Sequence, residues 1–198
     1  MLSDFQSQLS FIRPLTWEEV FEGWREREAN NPSWIECATK IKGWSNWEHW
    51  RLHTATQLHL QDRSWSLYEV LGPGSFLPNL LMGPFHAWQK YTEEKNTLTF
   101  VELMVLPEPR AFFLEHPAVQ RLMKQFPAPT ELIGLLREDT QKVVCVEGHH
   151  RIAAVTLGQV MGSPVAFFGP VYLALTSLKK DETVLLDETL RQGSSRKT

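Results

Sequence analysis

The chain has 198 residues, a formal charge of −3 and a pI near 6.2, with 42% of its residues hydrophobic and 22% charged. That composition excludes a disordered chain, and no apolar run approaches the roughly 18 residues that a membrane span requires. The length suits one domain, or one domain with a substantial extension. A chain without a basic excess is a poor match for nucleic acid, which binds through neutralised phosphates. Cys37 and Cys145 are the only cysteines, too few for a disulfide scaffold or a cysteine-rich zinc site. The start, Met1 to Phe5, lacks the basic-then-apolar pattern of a secretory signal. The setting expected is reduced and cytoplasmic.

The first half reads as helical and then loop-rich. Thr16-Trp17-Glu18-Glu19 is a capping-box pattern, and Trp17, Val20, Phe21 and Trp24 follow it at helical spacing. Asn30-Asn31-Pro32 stops that helix. Ser33 to Glu36 and Ser45 to Glu48 repeat the capping pattern, which predicts two further short helices, the second carrying Trp47, Trp50 and Thr54 on one side. Six of the eight tryptophans fall between Trp17 and Trp50. They are expected to pack these helices onto the rest of the protein, since large aromatics dominate core burial. The alternative is an aromatic surface for a protein partner or a ligand. From Leu71 to Pro84, glycines and prolines prevent any long element, and Phe76, Leu77, Leu80 and Leu81 predict a packed loop.

The second half alternates. Thr97 to Leu106 is rich in β-formers and predicts a buried strand. Pro117 suits the first turn of a helix whose stripe is Val119, Leu122, Met123 and Phe126, and Pro127-Ala128-Pro129 ends it. Leu132 to Leu136 and Val143 to Val146 read as a hairpin with a charged tip. After Glu147-Gly148-His149-His150-Arg151 comes a small-residue helix closed by Gly158. Val165 to Phe168 predicts another strand, Asp181 to Gln192 a last helix, and Gly193 to Thr198 a disordered tail.

The chemistry concentrates where the strand Val143 to Val146 runs through Gly148 into a helix. Glycine permits a tight turn and a close backbone approach. The first amides of a helix lack intrahelical acceptors, and the helix dipole places partial positive charge there. With His149, His150 and Arg151 on the same turn, the segment reads as a phosphate or anion site. The bland alternative is a capped helix start with two surface histidines. His49 and His53 stand at metal-chelating spacing but lack a visible third ligand, so no metal site is assigned. His86 and His116 carry no assignment.

Glu131 to Asp139, followed by Val143 to Gly158, resembles the ParB/sulfiredoxin superfamily, whose members share a strand–loop–helix with a Gly-x-x-Arg core. The likeness covers roughly Leu98 to Phe168 and leaves out the Trp-rich part. It implies an α+β fold, a small mixed sheet flanked by helices, at residues 91–192, preceded by a helical Trp-rich extension at 1–90 and followed by a tail at 193–198. It implies that Gly148, His149, His150 and Arg151 hold the phosphates of a nucleotide (ATP, ADP or CTP), with or without Mg²⁺. Sulfiredoxins place a catalytic cysteine where this chain has His149, and Cys145 lies on a buried strand, where a thiol is inert. ParB partition proteins append a DNA-binding domain for which too few residues remain here. Free-serine kinases, whose Asp-Gly-His-His-Arg is similar to Glu147 to Arg151, use a glutamate after their first strand as base. The corresponding residue here is Glu108, with Glu147 and His149 as further catalytic candidates. The expectation is a nucleotide-dependent enzyme that transfers phosphate to a small hydroxylated molecule. A non-catalytic ligand-sensing or interaction module is the alternative, and a DNA-associated protein or nuclease the third reading.

Overall fold

The computed structural model describes residues 6–192, so the expected tail at 193–198 lies outside the described residues. In chain order the strands and helices are β1 (Leu9–Leu15), α1 (Trp17–Glu28), α2 (Pro32–Glu36), α3 (Trp47–Gln57), β2 (Trp65–Val70), α4 (Pro73–Phe76), α5 (His86–Gln89), α6 (Phe100–Val105), α7 (Pro107–Glu115), α8 (Pro117–Lys124), β3 (Thr130–Arg137), β4 (Val143–Glu147), α9 (His149–Val160), β5 (Val171–Leu178) and α10 (Val184–Arg191). The protein is α+β, with one five-stranded mixed sheet in the order β1-β2-β5-β3-β4. β3 and β5 run parallel, and the other neighbours are antiparallel.

Local sequence explains much of this. Thr16 and Glu19 form the expected capping box at the start of α1. α2 and α3 also appear, but their caps are Asn31 and Asn46 rather than Ser33 and Ser45, because an Asn side chain reaches the second or third free amide. The Leu132 and Val143 runs pair as the expected hairpin.

Three expectations are corrected. Thr97 to Leu106 is not a strand: Thr99 and Glu102 form a capping box, and Phe100 to Val105 is helical. Two hydrogen-bonded cap groups start the helix there despite the β-prone composition. Val165 to Phe168 is not a strand either; the strand is Val171–Leu178, which finds a partner on each side in β2 and β3. α9 runs through Gly158 to Val160, and the turn that follows it contains Gly162 at φ 70°.

The Trp-rich segment is more than a helical extension. It supplies β1 and β2, and β2 joins β5 through the pairs Ser66↔Leu175 to Glu69↔Tyr172. Strands from both sides of residue 90 therefore share one sheet.

The sheet buries both faces, because successive side chains on a strand point to opposite sides. Leu132, Val143, Cys145, Leu173 and Leu175 face a core completed by α6, α8 and α9. Ile133, Leu135, Val144, Val146 and Ala174 face the other way, onto Val20, Trp24, Trp47 and Trp50. Trp24, Trp47, Trp50 and Trp65 are buried and Trp17, Trp34 and Trp44 partly so, which makes most of this aromatic set core. β4 passes between the two cores and delivers its C-terminal end, Glu147-Gly148, to the start of α9.

Candidate functional site

Gly148 is the N-cap of α9, at φ 109° and ψ 9°. A Cβ there would stand 2.2 Å from Leu132 Cδ2, so both the left-handed backbone and the lack of space require glycine. No side chain caps the helix start. The strand–glycine–helix reading is thus realised as geometry.

Arg151 sits otherwise than the sequence suggests. The motif assigns it to phosphate, yet its side chain turns inward and it is 8% exposed. Its guanidinium bonds Glu147 Oε1 and Thr130 Oγ1, and donates to the Glu131 carbonyl at 2.8 Å. An i, i+4 placement brings Glu147 and Arg151 together across the glycine turn, and β3 supplies the remaining acceptors. On the other side of Glu147, Arg27 Nε lies 3.4 Å from Oε2, and Arg27 also reaches Glu131 Oε1 at 3.3 Å. A second pair lies deeper. Glu28 Oε2 accepts from Arg51 Nε at 2.8 Å and from Trp47 Nε1 at 2.9 Å. Arg27, Arg51 and Arg151 are thus set against Glu28, Glu131 and Glu147, three charges of each sign, of which Arg27 and Glu131 are partly exposed. Burial alone would raise the Glu147 carboxyl, but Arg151 and Arg27 hold it below its ordinary value. Glu131 is raised by burial, which its contact with Arg27 only partly offsets.

His149 also turns inward. Its Nε2 accepts from the Gly83 amide at 3.0 Å, and its Nδ1 lies 3.4 Å from Cys145 Sγ, which in turn donates to the Glu147 carbonyl at 3.4 Å. An imidazole that accepts at Nε2 carries its proton on Nδ1, so the chain runs Nδ1–H to sulfur and S–H to carbonyl. Phe85, Trp88 and Phe100 surround the ring. Burial drives its pKa well below the ordinary histidine value and raises the Cys145 thiol. Both groups are neutral, and Cys145 is buried as its strand position implied.

His150 is the member of the motif nearest solvent. It stacks on His116 at 4.8 Å and lies 5.9 Å from Trp34 and 5.6 Å from Trp88. Burial, with help from His116 and Arg151, takes its pKa down to about 4. Burial lowers His116 as well.

These histidines fix a pH dependence. Unfolded imidazole titrates near 6.5 and His150 near 4, so between those values the unfolded chain binds more protons. Stability is complete above about pH 6.5 and is lost as pH falls toward 4, by about 3 kcal/mol for a 2.5-unit shift. Glu131, with its raised carboxyl, opposes this trend, against four histidines that burial lowers, His53, His116, His149 and His150. Urea midpoints at pH 7 and 4.5 check it: they should separate widely in the native protein and less in His150→Gln. Parallel slopes in the two proteins would remove His150 as the cause.

Glu108 does not join the site. The strand that would have placed it is α6, and Glu108 is exposed on the first turn of α7. The eight residues to His116 carry it roughly 12 Å along the chain at helical rise. His49 meets Ser45, and His53 packs on Trp44. Among the described residues no group of three or more His, Cys, Asp or Glu could hold a metal ion, and no helix is long and apolar enough to cross a membrane. Arg27, Trp34, His116, Thr130 and Glu131 belong to the site and were not assigned to it from sequence. In the sequence His116 reads as a lone histidine, Trp34 as one of the Trp-rich set and Glu131 as the start of the hairpin stretch. No local pattern marks the others.

No family model, no curated protein and no solved structure matches the chain.

Proposed function

We propose that the protein binds a nucleotide through its phosphates at the start of α9, as a ligand-responsive module of the ParB/sulfiredoxin type. The observation that carries this reading is the uncapped start of a 12-residue helix behind a glycine held at φ 109°. Free amides and the helix dipole there favour an anion. His150, His116 and Trp34 stand beside it as half-buried rings, and rings of this kind can stack on a base. Arg27, more exposed than Arg51 or Arg151, replaces Arg151 as the cation for phosphate.

Binding without chemistry is favoured over phosphotransfer. Glu147 and Arg151 bond each other, His149 is neutral and enclosed, and Glu108 lies elsewhere. Phosphotransfer to a small hydroxylated molecule is the second reading. It is supported by Glu131, a partly buried carboxylate beside Arg27 whose raised pKa suits a general base.

Thermal melting with ATP, ADP and CTP, with and without Mg²⁺, tests the proposal. A nucleotide at 100 times its Kd should add about 2.7 kcal/mol of stability. Arg27→Ala should remove most of that gain, and hydrolysis should stay at background. No gain from any nucleotide or from inorganic phosphate would overturn the binding reading. Turnover that Glu131→Gln abolishes would establish the second one.

A further inference from the structure

A hollow of about 370 Å³ opens at the other end of β4, where the β3–β4 turn meets the 72–81 loop and the start of α6. Five residues of strand separate it from Gly148, roughly 16 Å at strand rise, so it is distinct from the α9 site. Its volume falls in the range of about 300–1,000 Å³ typical of small-molecule pockets.

The lining has two chemical halves. Phe76, Leu80, Val101 and Val143 form an apolar floor. Gln8, Glu102 and Lys142 contribute the polar rim. Glu102 is held in place by the α6 capping box: its Oε2 accepts from Thr99 N at 2.8 Å and from Thr99 Oγ1 at 2.7 Å. Those bonds keep it ionised, and among the described residues its Oε1 accepts no hydrogen bond. Gln8 Oε1 is buried without a hydrogen-bond partner. Lys142 makes no ion pair among the described residues, although it is close enough to act on Glu102 electrostatically.

We infer that this hollow binds a free α-amino acid with an apolar side chain. The ammonium group would meet Glu102 Oε1, the carboxylate would meet Lys142 Nζ, and the side chain would lie over Phe76 and Leu80. A fixed carboxylate and an exposed ammonium on one rim suit a small zwitterion, whereas a simple anion or cation would face one repelling charge. The apolar floor selects against polar side chains, which would lose their hydration there without a partner.

Isothermal titration of the full chain with L-leucine tests this. The expected result is saturable binding, with a Kd of about 1 mM or tighter for a ligand of this size. Leucinol, which lacks the carboxylate, and 4-methylpentanoate, which lacks the ammonium, should each bind at least about tenfold more weakly, the loss of one charged hydrogen bond. Lys142→Ala alters an exposed side chain and should weaken leucine by about the same factor while leaving the melting temperature of the free protein unchanged. ADP at saturation should leave leucine affinity unaltered, which separates this site from the one at α9. Absence of saturable leucine binding, binding of either analogue as tight as that of leucine, or undiminished binding by Lys142→Ala would each overturn the assignment.

Discussion

Arg151→Ala should destabilise the protein by about 3–5 kcal/mol, the usual cost of removing one partner from a buried ion pair. Glu147 is 6% exposed, and without Arg151 its nearest ion-pair partner among the described residues is Arg27, at 3.4 Å and without a hydrogen bond. Thr130 Oγ1 and the Glu131 carbonyl would lose their donor at the same time. Arg151→Lys should recover only part of the loss, since an ammonium cannot span three acceptors in two directions as the guanidinium does. Urea denaturation measures this directly, and a shift in midpoint at constant slope reports a true stability change. The double variant Arg151→Met/Glu147→Leu should be much less damaged than Arg151→Ala, because replacing both charges leaves neither one stranded. If Arg151→Ala melts like the native protein and loses only ligand affinity, Arg151 is the exposed phosphate fork that the motif alone suggests, and the inward network is not what holds it.

That contrast shows where sequence reading succeeds and where it stops. Gly148 and the helix behind it were legible because a strand, a glycine and a helix start are consecutive, and their geometry is decided within a few residues. The roles of Arg151 and His149 were not. Arg151 is positioned by Thr130, 21 residues away, and Arg27 reaches Glu131 across 104. His149 is held by Gly83, 66 residues earlier. A motif fixes which side chains leave one turn and says nothing of what stands opposite them.

The fold divides along the same line. α1, α3 and the β3–β4 hairpin were readable from caps and periodicity. The helix α6 was missed although Thr99-Phe100-Val101-Glu102 has the same capping pattern that located α1, because the run of β-formers around it outweighed the two polar residues. β1 was missed because Arg13 and Pro14 interrupt it. On an edge strand a proline costs no ladder bond, and the register shift between Phe11 and Arg13 accommodates the irregularity. β2 has the composition of a strand, but the helical reading of its neighbours hid it. Its identity depends on β5, more than 100 residues later.

Arg51→Ala is expected to cost as much as Arg151→Ala, about 3–5 kcal/mol, although no motif contains it. Arg51 and Glu28 are 7% and 5% exposed, and the pair ties the last residue of α1 to α3. Arg51 donates from Nε at 2.8 Å and from Nη2 at 2.5 Å to Glu28 Oε2. Its guanidinium also lies 3.8 Å from the centroid of Trp50, 5.0 Å from Trp24 and 5.1 Å from Trp34. Contacts of this kind contribute roughly 0.5–2 kcal/mol each. Removing the side chain therefore strands the Glu28 carboxylate, leaves it Trp47 Nε1 as its one side-chain donor among the described residues, and opens a void between three indoles. Arg51→Lys keeps the charge but loses the planar face against Trp50 and the second bond to Glu28, so it should fall between the native protein and alanine. Arg51→Met with Glu28→Gln keeps the volume and removes both charges, and should restore much of the stability. Denaturant midpoints rank the four proteins. Near-ultraviolet circular dichroism supplies the local readout, since Trp24, Trp34 and Trp50 all sense the guanidinium. Arg51→Ala should change that spectrum under native conditions, and the change should extend to the α9 site, because Trp34 contacts both Arg51 and His150. If midpoint and spectrum are both unaltered, the tryptophan core stands without its buried charge, and the pair contributes nothing to the link between the N-terminal helices and the candidate site.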